Sequence, residues 1–521
     1  MFHDALVPFA ERRIIIMIQS ERNRFINFLK QQKSTIVIVT IFTLLSYGFK
    51  VFFYSNQFDT IQMSVKYSNT LEWWTSIGRY ALVLTKNIFE NGFLNIYFSN
   101  FLTLVMLVIC VCMWSYVLYA NTDEKSIYRG KYWVFGILFV TTPIMVEQIS
   151  FSLQNWEVML GYTLTGVAVW AFFRGEVQRR YYLVSVILMA WNLGIYQNFI
   201  VIFVLGFLFI MLLKIDTMEN QKQIFKMFFI FGLSCIISLI LYVIANKVMQ
   251  NIVGVEASGY LSNSIQWFSR PIKDSIYAIA NYIKGLIFSN GTPYSSIVYG
   301  VVFLVFFAGG VLSHSKFIWW NMIIRLGIIL SPFYFALLFG NSMGMRVQTI
   351  LPLAVALVGW HLILSFERIK KGIYIVCVIF IGVFSIKNAQ IMCQAFYSDY
   401  CSYNNDIRLA NEIRFSASEA FPENSLENLV FLNRCNTVDT VPNHIFLENI
   451  GSSIFAITWL NDYDYQTRVT DFFNCIGYNT KYWTPEEYNL YTMVNLKECD
   501  KKEYEEYILY SYDNNTLIYF K

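Results

Sequence analysis

The chain has 521 residues, of which 56% are hydrophobic and only 14% are charged, and its mean hydropathy is +0.45. Soluble proteins carry about 25% charged residues, so this composition excludes an ordinary soluble protein and predicts an all-α polytopic membrane protein. The formal net charge of +4 says little about partners by itself, and we expect membrane lipid around the chain and no nucleic acid.

The chain begins with a basic segment, residues 1–34, which we expect to be amphipathic and cytoplasmic. The positive-inside rule places such a segment on the cytoplasmic side. Because the segment lacks a clean apolar core and a small-residue cleavage site, we expect no secretory signal peptide. Its cations include Arg12, Arg13, Arg22, Arg24, Lys30 and Lys33.

Apolar runs near the length needed to cross a membrane then recur as far as residue 388. The first is residues 35–54, and the polar segment 55–99 that follows is predicted to be an outer loop. About eleven spans result in all. The further ones are residues 100–120, 132–145, 157–173, 181–195, 199–213, 225–245, 295–312, 317–340, 349–366 and 373–387.

The loop charges agree with this order. The loops that carry Lys and Arg are "DEKSIYRGK" (123–131), "RGEVQRR" (174–180), "KIDTMENQKQIFK" (214–226), "HSKF" (314–317) and "ERIKKG" (367–372). The opposing loops around "VEQISFSLQN" (146–155) and "NLGIYQN" (192–198) carry none. The alternation predicts a cytoplasmic N-terminus throughout.

Residues 389–521 are rich in Asn, Asp, Glu and Tyr and contain no spanning segment. "NDIRLANEIRFSA" (405–417) has helical spacing, whereas "ENLVFLNR" (427–434) and "NTLIYFK" (515–521) are typical of strands. An odd number of spans predicts that this α/β domain is extracytoplasmic. The nine cysteines show neither a CxxC pair nor His/Cys ligand spacing, so we expect no structural zinc site.

Ionisable residues collect on the predicted outer side, where each is costly unless it has a purpose. The acids are Asp59 and Glu72, and the cations are Arg79, Lys86 and Arg346. This set suits a reaction on a lipid-linked phosphosugar. The cations would bind the phosphate leaving group, and one carboxylate would deprotonate an acceptor hydroxyl.

Other outer residues would line the cleft in this hypothesis: Trp73, Trp74, Glu147, Gln148, Tyr196 and Gln197. Plainer interpretations remain open. The tryptophan pair would equally anchor the loop in the interfacial aromatic belt, and Lys86 would equally extend toward lipid headgroups.

Four landmarks also carry a family resemblance, and the first of them consists of the two motifs in the segment 55–99. They are "FDTIQ" (58–62), "EWWTSIGRY" (72–80), "TPIMVEQISFSLQN" (142–155), "WNLGIYQNF" (191–199) and "SSIFAITWLNDYDYQTRVTDFFNCIGY" (452–478). The chain resembles the Gtr type-II-like glucosyltransferases, multispan bacterial enzymes of the GT-C structural class. It departs from them in having one acid in "FDT", where the family often has two, and Gln154 or Asn155 at a position that is often acidic.

The resemblance implies a GT-C-like domain over residues 35–388 in the bacterial cytoplasmic membrane, with its active site facing outward. Such enzymes transfer a sugar, usually glucose, from a polyprenyl phosphate carrier to a surface polysaccharide or teichoic-acid-type polymer. Carried onto this sequence, Asp59 is the first choice for the base and Glu72 the second, and Arg79 and Arg346 form the phosphate clamp. We expect no metal or other cofactor to be required.

Two other classes of protein remain open. A transporter or lipid flippase also has many spans, although its polar groups usually lie at midplane in broken helices. A non-catalytic assembly subunit would have no use for the outer acid–arginine cluster. The tail, residues 389–521, is expected to cover the cleft or to help receive the polymer.

Overall fold

The computed structural model describes residues 9–90, 92–123, 129–259, 264–267, 269–288, 293–436, 443–448 and 450–521, with side chains from residue 19 onward. The described part is mostly helical and ends in a small sheet, in agreement with the predicted class. Its helices are α1 Phe9–Gln31, α2 Lys33–Phe52, α3 Phe58–Val65, α4 Tyr67–Ser76, α5 Tyr80–Phe89, α6 Ile96–Ala120, α7 Tyr132–Val140, α8 Met145–Ser150, α9 Asn155–Arg174, α10 Arg180–Ile195, α11 Phe199–Lys214, α12 Gln221–Val253, α13 Ile272–Ile287, α14 Ile297–Val311, α15 Ile318–Leu330, α16 Tyr334–Phe339, α17 Ile350–Ile369, α18 Lys371–Ala420, α19 Asp462–Cys475 and α20 Pro485–Thr492.

Within the described ranges, eight helical stretches are long and apolar enough to cross a membrane by length and composition. They are Lys33–Phe52, Ile96–Ala120, Asn155–Arg174, Phe199–Thr217, Gln221–Val253, Ile318–Phe339, Ile350–Ile369 and Lys371–Ala420. The apolar helices α10 and α14 are shorter, and α7 has only nine residues. Nine helical residues rise about 14 Å, which is too short for a hydrocarbon core of about 30 Å. The count of eleven spans and the orientation therefore stay predictions.

The long helices pack into one bundle, in which α9 lies against both α6 and α10. Inside the bundle, polar side-chain groups also form hydrogen bonds to the backbone of a neighbouring helix. The indole N–H of Trp114 donates to the carbonyl of Tyr162 at 3.0 Å, so a buried donor is satisfied where α6 meets α9.

The described residues of the predicted outer loop 55–99 form three short helices, α3, α4 and α5, and the last four residues of this loop belong to α6. Helix α3 leaves the bundle and packs against α19 of the tail. Ile61 on α3 is 2% exposed and belongs to the same hydrophobic core as Val469 and Phe472 of α19. Beyond the apolar contact, Lys66 pairs with Asp471 at 2.7 Å. The tail thus fixes the position of a helix from the first loop.

The tail contains a four-stranded sheet in the order β1-β4-β3-β2, with strands β1 Leu429–Phe431, β2 Asp500–Glu503, β3 Tyr507–Tyr512 and β4 Asn515–Phe520. Strands β1 and β4 are parallel, and the other two pairs are antiparallel. Asp513 and Asn514 connect β3 to β4 with φ of 47° and 60°, the conformation of a tight two-residue hairpin. Both strands expected from sequence, around residues 429 and 516, are confirmed.

Helix α18 is 50 residues long and continues from the bundle into the tail. The predicted span 373–387 and the predicted helix 405–417 are parts of this one helix. The expected domain boundary at residue 388 lies in its interior.

A buried polar network joins α18 to the end of α2. The Asp399 carboxylate lies 3.6 Å from the Lys50 ammonium, with side-chain exposures of 7% and 2%. It also accepts hydrogen bonds from the Ser55 hydroxyl at 2.7 Å, the Gln57 amide at 2.8 Å and the Gly451 N–H at 3.3 Å. One carboxylate therefore ties the bundle, the start of the first loop and the tail together.

We expect Asp399→Ala to lower the apparent Tm of the purified protein, because it leaves the Lys50 ammonium buried without its carboxylate. Breaking a buried pair on one side costs about 3–5 kcal/mol. Thermal unfolding in detergent, monitored by intrinsic fluorescence, measures the change. Asp500→Ala on the exposed strand β2 is the matched control.

Replacing both partners, as in Lys50→Met with Asp399→Leu, should recover part of the loss, since no buried charge is then left alone. An Asp399→Ala protein that melts with the wild type would contradict the role assigned to this network.

Candidate functional site

Asp59 lies in the first turn of α3, where the helix dipole favours an acid. Its two carboxylate oxygens face arginines from different parts of the chain. Oδ1 is 3.2 Å from Nη2 of Arg468 on α19, and Oδ2 is 4.0 Å from Nη1 of Arg346. The side chains of Asp59 and Arg346 are each 39% exposed, so a ligand has access to the pair.

Arg346 lies in the short turn Met345–Val347 that precedes α17, and Glu448 of the tail fixes this turn. The Glu448 carboxylate accepts hydrogen bonds from the backbone N–H groups of Met345 and Arg346 and lies 3.7 Å from Nε of Arg346. We call Asp59, Arg346, Glu448 and Arg468 the charged cluster.

Glu147 contacts the backbone of one member of the charged cluster, Glu448. It is fully buried on α8, and its Oε1 accepts hydrogen bonds from the Glu448 N–H at 2.7 Å and from the Tyr294 hydroxyl. Burial, followed by the neighbouring Glu147 carboxylate, raises the pKa of Tyr294, so this hydroxyl stays protonated and donates. Glu147 thus orients the Glu448 backbone.

Arg79 is placed by a different set of contacts. Its Nη1 donates to Oε1 of Gln154 at 2.8 Å, and its guanidinium lies 4.9 Å from the ring centre of Tyr196, a cation–π contact. The preceding Gly78 has φ of +86°, and a Cβ there would overlap the Tyr242 hydroxyl. This explains why glycine precedes the arginine.

The two arginine regions are joined by neighbouring loops. Gln197 donates to the carbonyl of Ile77 at 3.0 Å, and Asn198 donates to the carbonyl of Val347 at 2.8 Å. The Arg346 guanidinium lies 5.6 Å from the ring centre of Phe151. The predicted outer loops therefore meet on one face of the bundle, which is the face that carries the tail.

The remaining site residues expected from sequence have other surroundings. Glu72 is exposed on α4, and among the described residues no ion pair joins it or Asp59 to Arg79. Trp74 is 3% exposed and belongs to the bundle core, whereas Trp73 is 51% exposed. Gln148 is buried on α8, beside Glu147.

Lys86 is fully buried on α5 and pairs with two carboxylates, Glu90 at 2.6 Å and Glu157 at 2.7 Å. Tyr67 donates a hydrogen bond to Glu90 at 3.0 Å. An ammonium already neutralised in this way contributes to packing between α5 and α9 rather than to an open anion site.

Sequence reasoning missed Glu448 and Arg468. A signal was present for the second, because Arg468 and Asp471 are three residues apart and share one face of a helix. They oppose Asp59 and Lys66, which are seven residues apart and also share one face. This complementarity becomes visible only once α3 and α19 are known to be neighbours.

Two cavities are lined by sequence neighbours of the charged cluster, although none of its four residues lines either one. One of about 610 Å³ lies between α13 and residues 342–345 and includes Met345, whose N–H is bonded to Glu448. The other, of about 560 Å³, lies in the tail and is lined by Ser402, His444 and Phe446 among others. Segment 443–448 connects them, because Phe446 lines the second cavity while Glu448 reaches Arg346. Both volumes are in the range of small-molecule sites, about 300–1,000 Å³.

The long apolar helices are compatible with a multi-pass membrane protein, and the charged cluster brings two arginines and two carboxylates together on an accessible surface. A family model described as glucosyl transferase GtrII matches residues 45–348, more than half of the chain. The chain therefore belongs to the GtrII glucosyltransferase family, which confirms the resemblance found in the sequence. No match to a curated protein or to a solved structure was found. Glu448 and Arg468 lie outside the matched residues.

We expect Lys86→Met to lower the apparent Tm by several degrees, because Glu90 and Glu157 would lose their shared cation. The KM for the sugar donor should stay unchanged in the protein that remains folded. Lys222→Met, at an exposed position on α12, is the control.

Adding Glu157→Gln to Lys86→Met should restore part of the Tm, since one unpaired charge is removed. A variant with wild-type Tm and a raised donor KM would instead assign Lys86 to the phosphate site.

Proposed function

We propose that this protein transfers a sugar, with glucose the expected one, from a polyprenyl phosphate carrier to a cell-surface polysaccharide or teichoic-acid-type polymer. The reaction would take place on the outer face of the bacterial cytoplasmic membrane, in a GT-C-type enzyme. Family membership supports the class of reaction. The observation that carries the proposal is the Asp59 carboxylate lying 4.0 Å from the Arg346 guanidinium, on an accessible surface.

In this mechanism, Asp59 is the general base. It takes the proton of an acceptor hydroxyl while that oxygen forms a bond to the anomeric carbon. The bond from the anomeric carbon to the phosphate oxygen breaks, and polyprenyl phosphate leaves with one additional negative charge. In the proposal Arg346 binds that phosphate, and an arginine that binds the more highly charged leaving group better than the donor lowers the barrier.

The other site residues take supporting roles in the proposal. Arg79, held by Gln154 and Tyr196, is a second phosphate-binding cation. Glu147 positions the Glu448 backbone, and Tyr196 and Gln197 line the cleft. The cavity of about 610 Å³ beside Met345 offers room for the donor, and the tail cavity of about 560 Å³ offers a path for the acceptor.

The test is turnover by purified full-length protein, with polyprenyl phosphate glucose as donor and isolated surface polymer as acceptor. Labelled sugar should appear on the polymer as free polyprenyl phosphate is released. A transporter would release no polyprenyl phosphate, and such a result would overturn the proposal. Donors with other sugar head groups would then define the sugar.

We expect Asp59→Asn to lower kcat by about 100-fold or more with little change in Tm, because the amide cannot accept the proton. Glu72→Gln is the matched isosteric control at the other candidate acid, which is exposed and lacks an arginine partner among the described residues. Its kcat should stay within about twofold of wild type, as expected for a surface change. The reverse result would assign the base to Glu72, and two active variants would exclude both acids.

A further inference from the structure

The charged cluster contains a conflict between two functions. The two oxygens of the Asp59 carboxylate each face a guanidinium group, at 3.2 Å and 4.0 Å, whereas a general base has to point an oxygen at the acceptor hydroxyl. A phosphate needs those same guanidinium groups. One arrangement of side chains cannot serve both needs at once.

The positions of the two arginines would allow one anion to replace another between them. Arg346 and Arg468 both face the carboxylate of Asp59, so their guanidinium groups flank the space that this carboxylate fills, while Glu448 contacts Arg346 separately, at Nε. Carboxylate and phosphate are both recognised by arginine through paired N–H donors. Asp59 therefore occupies the position that a phosphate would take.

Exchange between the two anions is feasible because the cluster is accessible. The side chains of Asp59 and Arg346 are each 39% exposed and that of Arg468 is 17% exposed. Ion pairs with this exposure are weak. By contrast, the Lys86 pairs, with exposures between 0% and 8%, are sealed inside the protein.

We propose that Arg468 of the tail is a donor-phosphate ligand and that the Asp59 carboxylate occupies the phosphate position until the donor binds. This rests on the proposed function. The donor phosphate displaces the Asp59 carboxylate from Arg346 and Arg468, and the released carboxylate is then available to the acceptor hydroxyl. During transfer the phosphate gains one negative charge as its bond to the sugar breaks, and Asp59 loses one as it takes the proton. The net charge beside the arginines is thereby conserved.

The contacts of Arg468 allow such a role without loss of the tail's attachment. Its Nη1 donates to the carbonyl of Phe58 at 3.3 Å, and this bond does not involve the carboxylate. The Lys66–Asp471 pair and the burial of Ile61 hold α3 on α19 independently. Arg468 therefore stays next to the site when Asp59 leaves it.

The experiment measures the affinity of the purified full-length protein for polyprenyl phosphate in lipid nanodiscs. Asp59→Asn removes the competing anion, so binding should tighten by about five- to tenfold even as turnover is lost. Arg468→Gln should weaken binding, and Arg468→Lys should restore part of it. An Asp59→Asn protein that binds polyprenyl phosphate no more tightly than wild type would overturn the exchange.

Lys66→Gln is the control for a merely structural role of Arg468, because it removes the other ion pair between α3 and α19. Its affinity should equal that of wild type. If it weakens binding as much as Arg468→Gln does, Arg468 acts by holding the helices together and the assignment fails. Arg408→Gln, at a tail position that is 59% exposed, controls for the loss of one positive charge.

Phosphatidylglycerol nanodiscs distinguish a phosphate site from general attraction to anionic headgroups. Equal affinity for the two lipids would overturn the assignment. The failure of the proposed function has a different signature, namely wild-type protein that neither binds polyprenyl phosphate nor transfers sugar. Binding and transfer without tightening by Asp59→Asn would remove only the exchange.

Discussion

The contact between α3 and α19 is the constraint on which the site depends. Ile61 is inserted into the tail core, and the two ends of α3 are held by oppositely charged pairs, Arg468 with Asp59 and Asp471 with Lys66. An eight-residue helix is too short to be stable alone, so its position comes from this packing. A helix of the first loop is thus held in place by a tail helix about 400 residues later in the chain, and the acid it carries is held with it.

Two sets of ion pairs in the described part of the chain differ sharply in exposure. Lys50 with Asp399, and Lys86 with Glu90 and Glu157, are all at most 8% exposed and are surrounded by further polar contacts. The pair of Asp59 and Arg346 is 39% exposed on each side. Buried charges left without partners are strongly destabilising, so the first group cannot release a partner for chemistry. Exposure thereby separates charges that hold the bundle from charges that a ligand can reach.

The sequence was sufficient for the class of fold, the helical nature of the bundle, two of the four tail strands and the family, because these follow from apolar periodicity and local motifs. The sequence did not show that residue 388 lies inside a continuous helix. The part of α18 that belongs to the tail is polar, and in the sequence this change of composition looks like the start of a new domain. The sequence also could not distinguish Lys86 from Arg346, as both are cations near apolar segments. Their difference is burial, which depends on partners distant in the chain. Glu448 and Arg468 were missed for the same reason.

The length of α18 has a consequence for the coupling between the bundle and the tail. A continuous helix has no hinge, and each residue in it turns the following chain by about 100° and advances it by about 1.5 Å. Asp399 therefore reaches Lys50 only at one rotation of α18 about its axis. The same rotation sets the direction of the tail residues that follow Asp399. Evolution of such a helix is confined to substitutions and to insertions near whole turns, because a single added residue would rotate the tail away from the first loop. The number of residues in this one helix therefore sets the orientation of the tail relative to the bundle.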